Sequence, residues 1–313
     1  MRRDWAVWLA APALLLAAVP WLILPGMVML VADRAAALMP LAPVLALISL
    51  AAAGRRIWAA LPALVALLLA TTSLIEERPL PFRSRGQPRL VVVSHNVWRE
   101  NVDPAGTIDQ LLNSGADVLM LQEADGSMAP YLERLHARFP FGSKCRPRCS
   151  NAIFSRWPTE RVRYRFRDAH GHAFGPGLVQ ARIEVPDVPA SVMVVSLHLS
   201  RQANAEQLAR DTGALSYAIA QQPSQSTVVA GDFNLPGWAP SMAHLEAGLF
   251  PSTRVTRGLL TYPARLASSA WPVPLVAIDH VFAGSSWTVA GTRVLPAAGS
   301  DHHPVRVELV WHQ

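Results

Sequence analysis

Before Glu76 this chain is an almost unbroken apolar stretch, in which only Arg2, Arg3, Asp4, Asp33, Arg34, Arg55 and Arg56 carry charge. Helices built from it have no polar face to turn toward water, so they do not fit the surface of an ordinary globular domain. Residues 5–32 form one apolar run. It exceeds the ~20 residues that a spanning helix needs, and far exceeds the apolar core of a cleavable signal peptide. Residues 35–53 and 57–75 are two further runs, each about long enough to span. The expectation is a membrane anchor of three transmembrane helices in residues 1–75. Its prolines are tolerable where neighbouring helices re-satisfy the backbone.

Arg2 and Arg3 precede the first run, and Arg55 and Arg56 follow the second. Positive charge therefore falls on the N-terminal side of the membrane at both opportunities, which predicts a cytoplasmic N-terminus and an extracytoplasmic C-terminal domain of a multi-pass inner-membrane protein. Residues 76–88, EERPLPFRSRGQP, read as a polar linker. Residues 89–313 have the composition of a normal globular domain. Residues 76–313 carry only half of the formal net charge of +6, and nearly all the positive charge is arginine. That balance points weakly to nucleic acid and equally to an anionic membrane surface. The only cysteines, Cys145 and Cys149, lie in CRPRC. Two ligands do not complete a zinc site; a local disulfide or two free thiols are the readings left.

Within the globular part, short apolar runs keep ending on polar residues. Residues 89–97 (RLVVVSHNV) read out at Asn96, 117–123 (DVLMLQE) at Glu123, and 191–199 deliver His198. The run TVVAGDFNLP presents Asp232 and Asn234, and VAIDHVF presents Asp279; GSDHHPV, with Asp301 and His302, precedes a last strand over 305–311. Helices are expected at 105–113, 126–138 and 202–222. Strands outnumber helices and several neighbours look antiparallel, so the predicted class is α/β: a four-layered sandwich of two packed mixed β-sheets flanked by helices. In residues 161–167, RVRYRFR, the alternation puts Arg161, Arg163, Arg165 and Arg167 on one face. They read either as an edge strand guarded by charge or as a basic stripe that meets phosphate.

Each polar strand end has an ordinary explanation when taken singly. Half-burying so many carboxylates and imidazoles without a task is costly, however, so one shared site is the simpler account. The groups suit attack of water on a phosphoester. Oxygen ligands such as Glu123, with Asn96 nearby, fit Mg²⁺ or Mn²⁺, and a carboxylate with an imidazole handles the proton of the attacking water. There is no serine elbow, P-loop or HExxH, which argues against acyl transfer, nucleotide-driven and zinc-protease chemistry.

Seven pieces in order, SHNVW (94–98), LQE (121–123), NAIFSRWP (151–158), SLHLS (196–200), GDFN (231–234), IDHVF (278–282) and SDHHP (300–304), resemble the endonuclease/exonuclease/phosphatase superfamily. That superfamily includes DNase I, apurinic endonucleases, inositol-polyphosphate phosphatases and neutral sphingomyelinases. The resemblance implies that Glu123 binds the catalytic metal, with Asn96 and Asp301 contributing. It implies that Asp232 orients or deprotonates water, Asn234 steadies the transition state, His302 contacts phosphate while bonded to Asp279, and His198 contacts phosphate or assists the leaving group. His280 and His303 flank the matched positions.

The superfamily does not fix the substrate. An anchor followed by such a domain resembles bacterial membrane proteins that include the teicoplanin-resistance group, which implies a lipid-linked phosphate or phospholipid headgroup. A membrane-tethered nuclease and a non-catalytic binding module are the competing readings. No obligate protein partner is evident.

Overall fold

The computed structural model describes residues 4–21, 26–53, 57–82, 89–143, 150–167, 173–199, 205–220, 225–266 and 269–312. Cys145 and Cys149 lie outside them. The chain divides into two compact units, one of Met1–Arg78, Ala203–Leu208 and Leu235–Leu245, the other of the remaining residues.

The first unit holds helices α1 (Ala10–Ala18), α2 (Gly26–Ala36), α3 (Ala42–Ala53) and α4 (Ile57–Glu76). Helices α1, α3 and α4 pack on one another, whereas α2 packs on the 3₁₀ turn Val19–Trp21. Of the run 5–32, residues 5–21 and 26–32 are helical, with a 3₁₀ turn at Val19–Trp21 around Pro20, and residues 22–25 lie outside the described residues. Among the described residues one helix, Ile57–Glu76, is long and apolar enough to cross a membrane, while Trp5–Trp21 and Met39–Ala53 are shorter. Among the described residues the helix lengths supply one such span and leave the other two of the expected three unsupported.

The packing of this unit inverts that of a water-soluble bundle. Its inward positions are small: Ala13, Ala17, Ala46, Ser49, Ala59, Ala63, Ala66 and Ala70 are all at 0% exposure. Large apolar side chains face out, including Leu15, Leu47, Leu61, Leu64 and Leu68.

The second unit is an α/β fold of two mixed sheets packed face to face with flanking helices. Its elements begin with β1 (Arg89–Asn96), α5 (Pro104–Leu112), β2 (Val118–Gln122), β3 (Phe141–Gly142), β4 (Ala152–Ser155), β5 (Thr159–Arg167), β6 (Ala173–Ile183) and β7 (Val192–His198). They continue with α6 (Ala205–Ala220), β8 (Val228–Asp232), α7 (Pro240–Gly248), β9 (Thr253–Arg254), β10 (Arg265–Leu266), β11 (Ser269–Ala270), β12 (Asp279–Ala283), β13 (Trp287–Val294) and β14 (Val305–Trp311). Helices α6 and α7 each have residues in both units. One sheet runs β13-β14-β1-β2-β4-β3 and the other β5-β6-β7-β8-β12-β9. Alternate residues of both, among them Val92, Met120, Val179, Val194, Val228, Val281 and Val307, form the core between the sheets. On the outer face of the first sheet, Leu119 and Phe154 pack with Ile108 and Leu111 of α5 and with Met128 and Leu135 of a 3₁₀ helix, Gly126–Ala137.

Candidate active site

Strand direction explains why the polar strand ends meet. Strands β1 and β2 run parallel with Asn96 beside Gln122, so Glu123 follows at the same edge. Strands β7 and β8 are also parallel, with His198 beside Asp232. The β12 strand is antiparallel to β8 and starts where β8 ends, which sets Asp279 opposite Asp232. In the same way β14 is antiparallel to β1, so the turn before it lies at the end of β1, where Ser300 Oγ donates to the Asn96 carbonyl at 2.6 Å.

Asp232, at 1% exposure, sits in the middle. Its Oδ2 accepts from Asn96 Nδ2 at 3.0 Å and lies 3.6 Å from His198 Nε2 and 3.7 Å from His302 Nε2. Its Oδ1 accepts from the Asn234 N–H at 2.8 Å. The Asn234 carboxamide donates to the Leu199 carbonyl at 2.7 Å. The other Asn96 contact is with Glu123 Oε1, at 3.2 Å, while the Arg99 N–H donates to Glu123 Oε2 at 3.1 Å. Glu123 and Asn234 both hold left-handed backbone, φ 52° and 51°, a conformation that surrounding structure must impose on side chains other than glycine. Gly231 is required for a different reason: a Cβ there would stand 1.8 Å from the Leu197 carbonyl oxygen on the neighbouring strand.

His302 Nδ1 lies 2.9 Å from Asp279 Oδ2, which also accepts the Thr261 hydroxyl at 2.6 Å. Burial alone would depress His302, but the carboxylates of Asp279, Asp232 and Asp301 outweigh it and push its pKa up to about 10. Burial likewise raises Asp279, against the pull of His302. Both shifts favour the protonated forms. An imidazolium on an Asp279 carboxylate that has two donors is the state the hydrogen bonds support. His303 points elsewhere, with Nδ1 3.1 Å from the Leu295 carbonyl, and His280 stacks edge-on against Phe233.

The endonuclease/exonuclease/phosphatase family model matches residues 93–302, well over half of the chain and spanning every residue of this cluster. The chain belongs to that family. No curated protein matches it in sequence. Solved structures share the fold of the family at low identity. A Beutenbergia cavernae endonuclease/exonuclease/phosphatase has 19% identity and a TM-score of 0.54, covering 72% of each chain. D. rerio TDP2, solved with a single-strand DNA product, has 18% identity and a TM-score of 0.55, covering 71% of this chain and 99% of its own. The human Nocturnin catalytic domain, solved with sulfate, has 15% identity and a TM-score of 0.52, covering 72% of this chain and 96% of its own.

The family's divalent metal has a fitting set of donors here. Asp301 Oδ1 is buried without a hydrogen-bond partner, and burial, with the charges of Glu123 and Asp232, raises the Asp301 pKa against the pull of His302. An oxygen-only set of Asp301 and Glu123, steadied by Asn96, is what a hard dication requires. A second group, Asp232, Asp279 and His302, has ligand atoms within 4.8 Å of one another. Within that group Asp279 already accepts from Thr261 and pairs with His302.

The arginines of β5 lie two strands from β7 in the second sheet. β5 is an edge strand whose ladder is broken by irregularities between Glu160 and Arg163 and between Arg165 and Arg167. Arg161 lies toward the end of the strand away from His198; Arg161 and Arg163 are exposed, and Arg165 donates to Gln180 at 3.2 Å. The side chain of Arg167 lies outside the described residues.

The structure adds groups that the sequence did not single out. Tyr262 sets its ring 4.9 Å from that of His302. His95, kept neutral by burial with its pKa near 3, lies with Nε2 3.2 Å from the His302 carbonyl. Gln122 donates to Ser196 Oγ at 3.0 Å across the core, and Asn151 donates to the Gly177 carbonyl at 3.3 Å. Thr261 and Tyr262 sit in an irregular stretch with no strand pattern, so only family knowledge of that stretch would have marked them.

Proposed function

We propose that this protein is a divalent-metal-dependent hydrolase that cleaves a phosphate ester or diphosphate carried by a lipid, at the outer face of the cytoplasmic membrane. The observation that carries the chemistry is the convergence of Asn96, His198, Asn234 and His302 on the Asp232 carboxylate. In this reading water oxygen bonds to phosphorus as the ester P–O bond breaks, and Asp232 takes the water proton. Asn234 and the His302 imidazolium stabilise the charge on the phosphoryl oxygens. Asp279 and Thr261 hold His302 in place, and His198 serves the leaving oxygen. A dication held by Glu123 and Asp301, with Asn96, supplies further charge neutralisation when bound.

Two features support a lipid as the carrier. Leu266, Trp271, Val273 and Leu275 stand 48%, 37%, 57% and 54% exposed on the stretch between Thr261 and Asp279. That stretch is rooted beside the site: the Ala264 N–H donates to the Asp301 carbonyl at 2.6 Å, and Leu275 N–H to the Tyr262 carbonyl at 2.7 Å. An apolar rim beside a phosphate site suits an amphiphile. The outward-facing leucines of the helical unit support a membrane location, with the arginine pattern of residues 1–75 giving the orientation.

A tethered nuclease is the second reading, favoured by the likeness to TDP2 solved with a DNA product. Detergent-solubilised full-length protein with Mg²⁺ is expected to release phosphate or headgroup from lipid substrates faster than it degrades plasmid DNA, and Asp232→Ala to lower the rate at least ~10³-fold. Full activity in Asp232→Ala overturns the mechanism. A preference for DNA with a steep salt dependence overturns the lipid substrate.

A further inference from the structure

The first unit buries a carboxylate that hydrolysis does not use. Asp33 of α2 is 3% exposed, within the same unit as residues Leu235–Leu245. Its Oδ1 accepts from the Ser241 N–H at 2.9 Å and its Oδ2 from the Ser241 hydroxyl at 2.5 Å. Ser241 is the second residue of α7, whose N–H has no acceptor within the helix. The residue ahead of α7 is Ala239, which has no side-chain acceptor to offer. Asp33 therefore caps α7 from 208 positions away in sequence, and its charge lies at the positive end of the helix dipole. One turn beyond Asp33, the Ala36 carbonyl accepts from the Trp238 indole at 2.5 Å, with Trp238 only 7% exposed.

Leu235, the first residue of this doubly held segment, is bonded directly to Asn234. The left-handed backbone of Asn234, φ 51°, is one that surrounding structure must impose. On one side it is held by Asp232 and the Leu199 carbonyl. On the other, the chain leads within seven residues to Ser241. We infer that Asp33 is a positioning residue: with Trp238 it anchors on helix α2 the segment 235–245, which follows directly on Asn234 in the chain. The inference rests on the phosphoesterase reading for its catalytic consequence only.

The test uses full-length protein in detergent, with Mg²⁺ and bis(p-nitrophenyl) phosphate as substrate, and amide hydrogen exchange of residues 235–245 as a readout separate from activity. Asp33→Ala is expected to speed exchange there and to lower kcat about tenfold with KM little changed, as small misplacements of a positioned group do. Asp33→Asn, which keeps an oxygen acceptor, restores most of both. Trp238→Phe moves both in the direction of Asp33→Ala and carries the test if that variant fails to fold. Wild-type exchange in Trp238→Phe and in folded Asp33→Ala overturns the inference, as does faster exchange with unchanged kcat. If the wild-type chain hydrolyses nothing, the phosphoesterase reading falls, and exchange alone then decides: protection lost in Asp33→Ala supports the anchor, protection retained overturns it.

Discussion

Asp279 is fully buried, and what keeps its carboxylate useful is the company of two donors, the Thr261 hydroxyl at 2.6 Å and the His302 ring at 2.9 Å. Replacing Thr261 by valine keeps the shape and removes one of them, leaving a buried oxygen with a single partner. The expected cost is about 1–2 kcal/mol in stability. Because Asp279 is then a poorer counter-ion for His302, kcat is expected to fall about tenfold with KM near wild type. Steady-state kinetics beside thermal melting check both, and an unchanged kcat in a folded Thr261→Val protein removes Thr261 from the site. Asp279 and His302 were legible in the sequence because each lies next to an apolar strand, where a charge needs a reason. Thr261 was not: a hydroxyl in an irregular stretch has a hundred innocuous uses, and its partner is 18 positions away in sequence.

At the scale of elements, the sequence carried most of the catalytic unit, since β strands with polar ends are written in local pattern. What local pattern does not carry is where a strand lies in its sheet. β5 alternates as a strand should, with Val162 and Tyr164 packed on the core. Its place at the sheet edge, which leaves Arg161 and Arg163 exposed, was one of two readings open to the sequence. Edge placement gives those charges a negative-steric role, keeping another chain from adding to the sheet. The double change Arg161→Ser, Arg163→Ser is expected to leave turnover within about twofold of wild type while raising aggregation on concentration, by light scattering. A drop of tenfold or more in turnover would instead put the stripe in contact with substrate. For residues 5–32 composition reports only that the stretch is apolar; it does not report the 3₁₀ geometry at Val19–Trp21, around Pro20.

For the molecule as a whole, the question is which medium surrounds the helical unit, and the distribution of side-chain size across its packing answers more than hydropathy does. A bundle stabilised by water would bury its leucines and expose its alanines, since a buried leucine is worth about 1.5–3 kcal/mol. Here Ala63, Ala66 and Ala70 of α4 face inward at 0% exposure, while Leu64 and Leu68 stand 52% and 63% exposed. Close backbone approach through small residues is how helices associate when the surroundings are as apolar as leucine. The two media give opposite expectations for the same substitution. On a water-exposed surface, Leu64→Arg and Leu68→Arg each change stability by at most about 0.5 kcal/mol. Near the middle of a membrane-spanning helix each costs roughly 2.5–3.5 kcal/mol of insertion, together enough to prevent stable integration. The double arginine variant is therefore expected to lose most of its membrane-bound protein, measured as the fraction that resists carbonate extraction, whereas Leu64→Ile with Leu68→Ile should retain it. A wild-type chain that carbonate releases, or an arginine variant that stays bound as firmly as wild type, would show that this unit faces water and that its outward leucines await another covering.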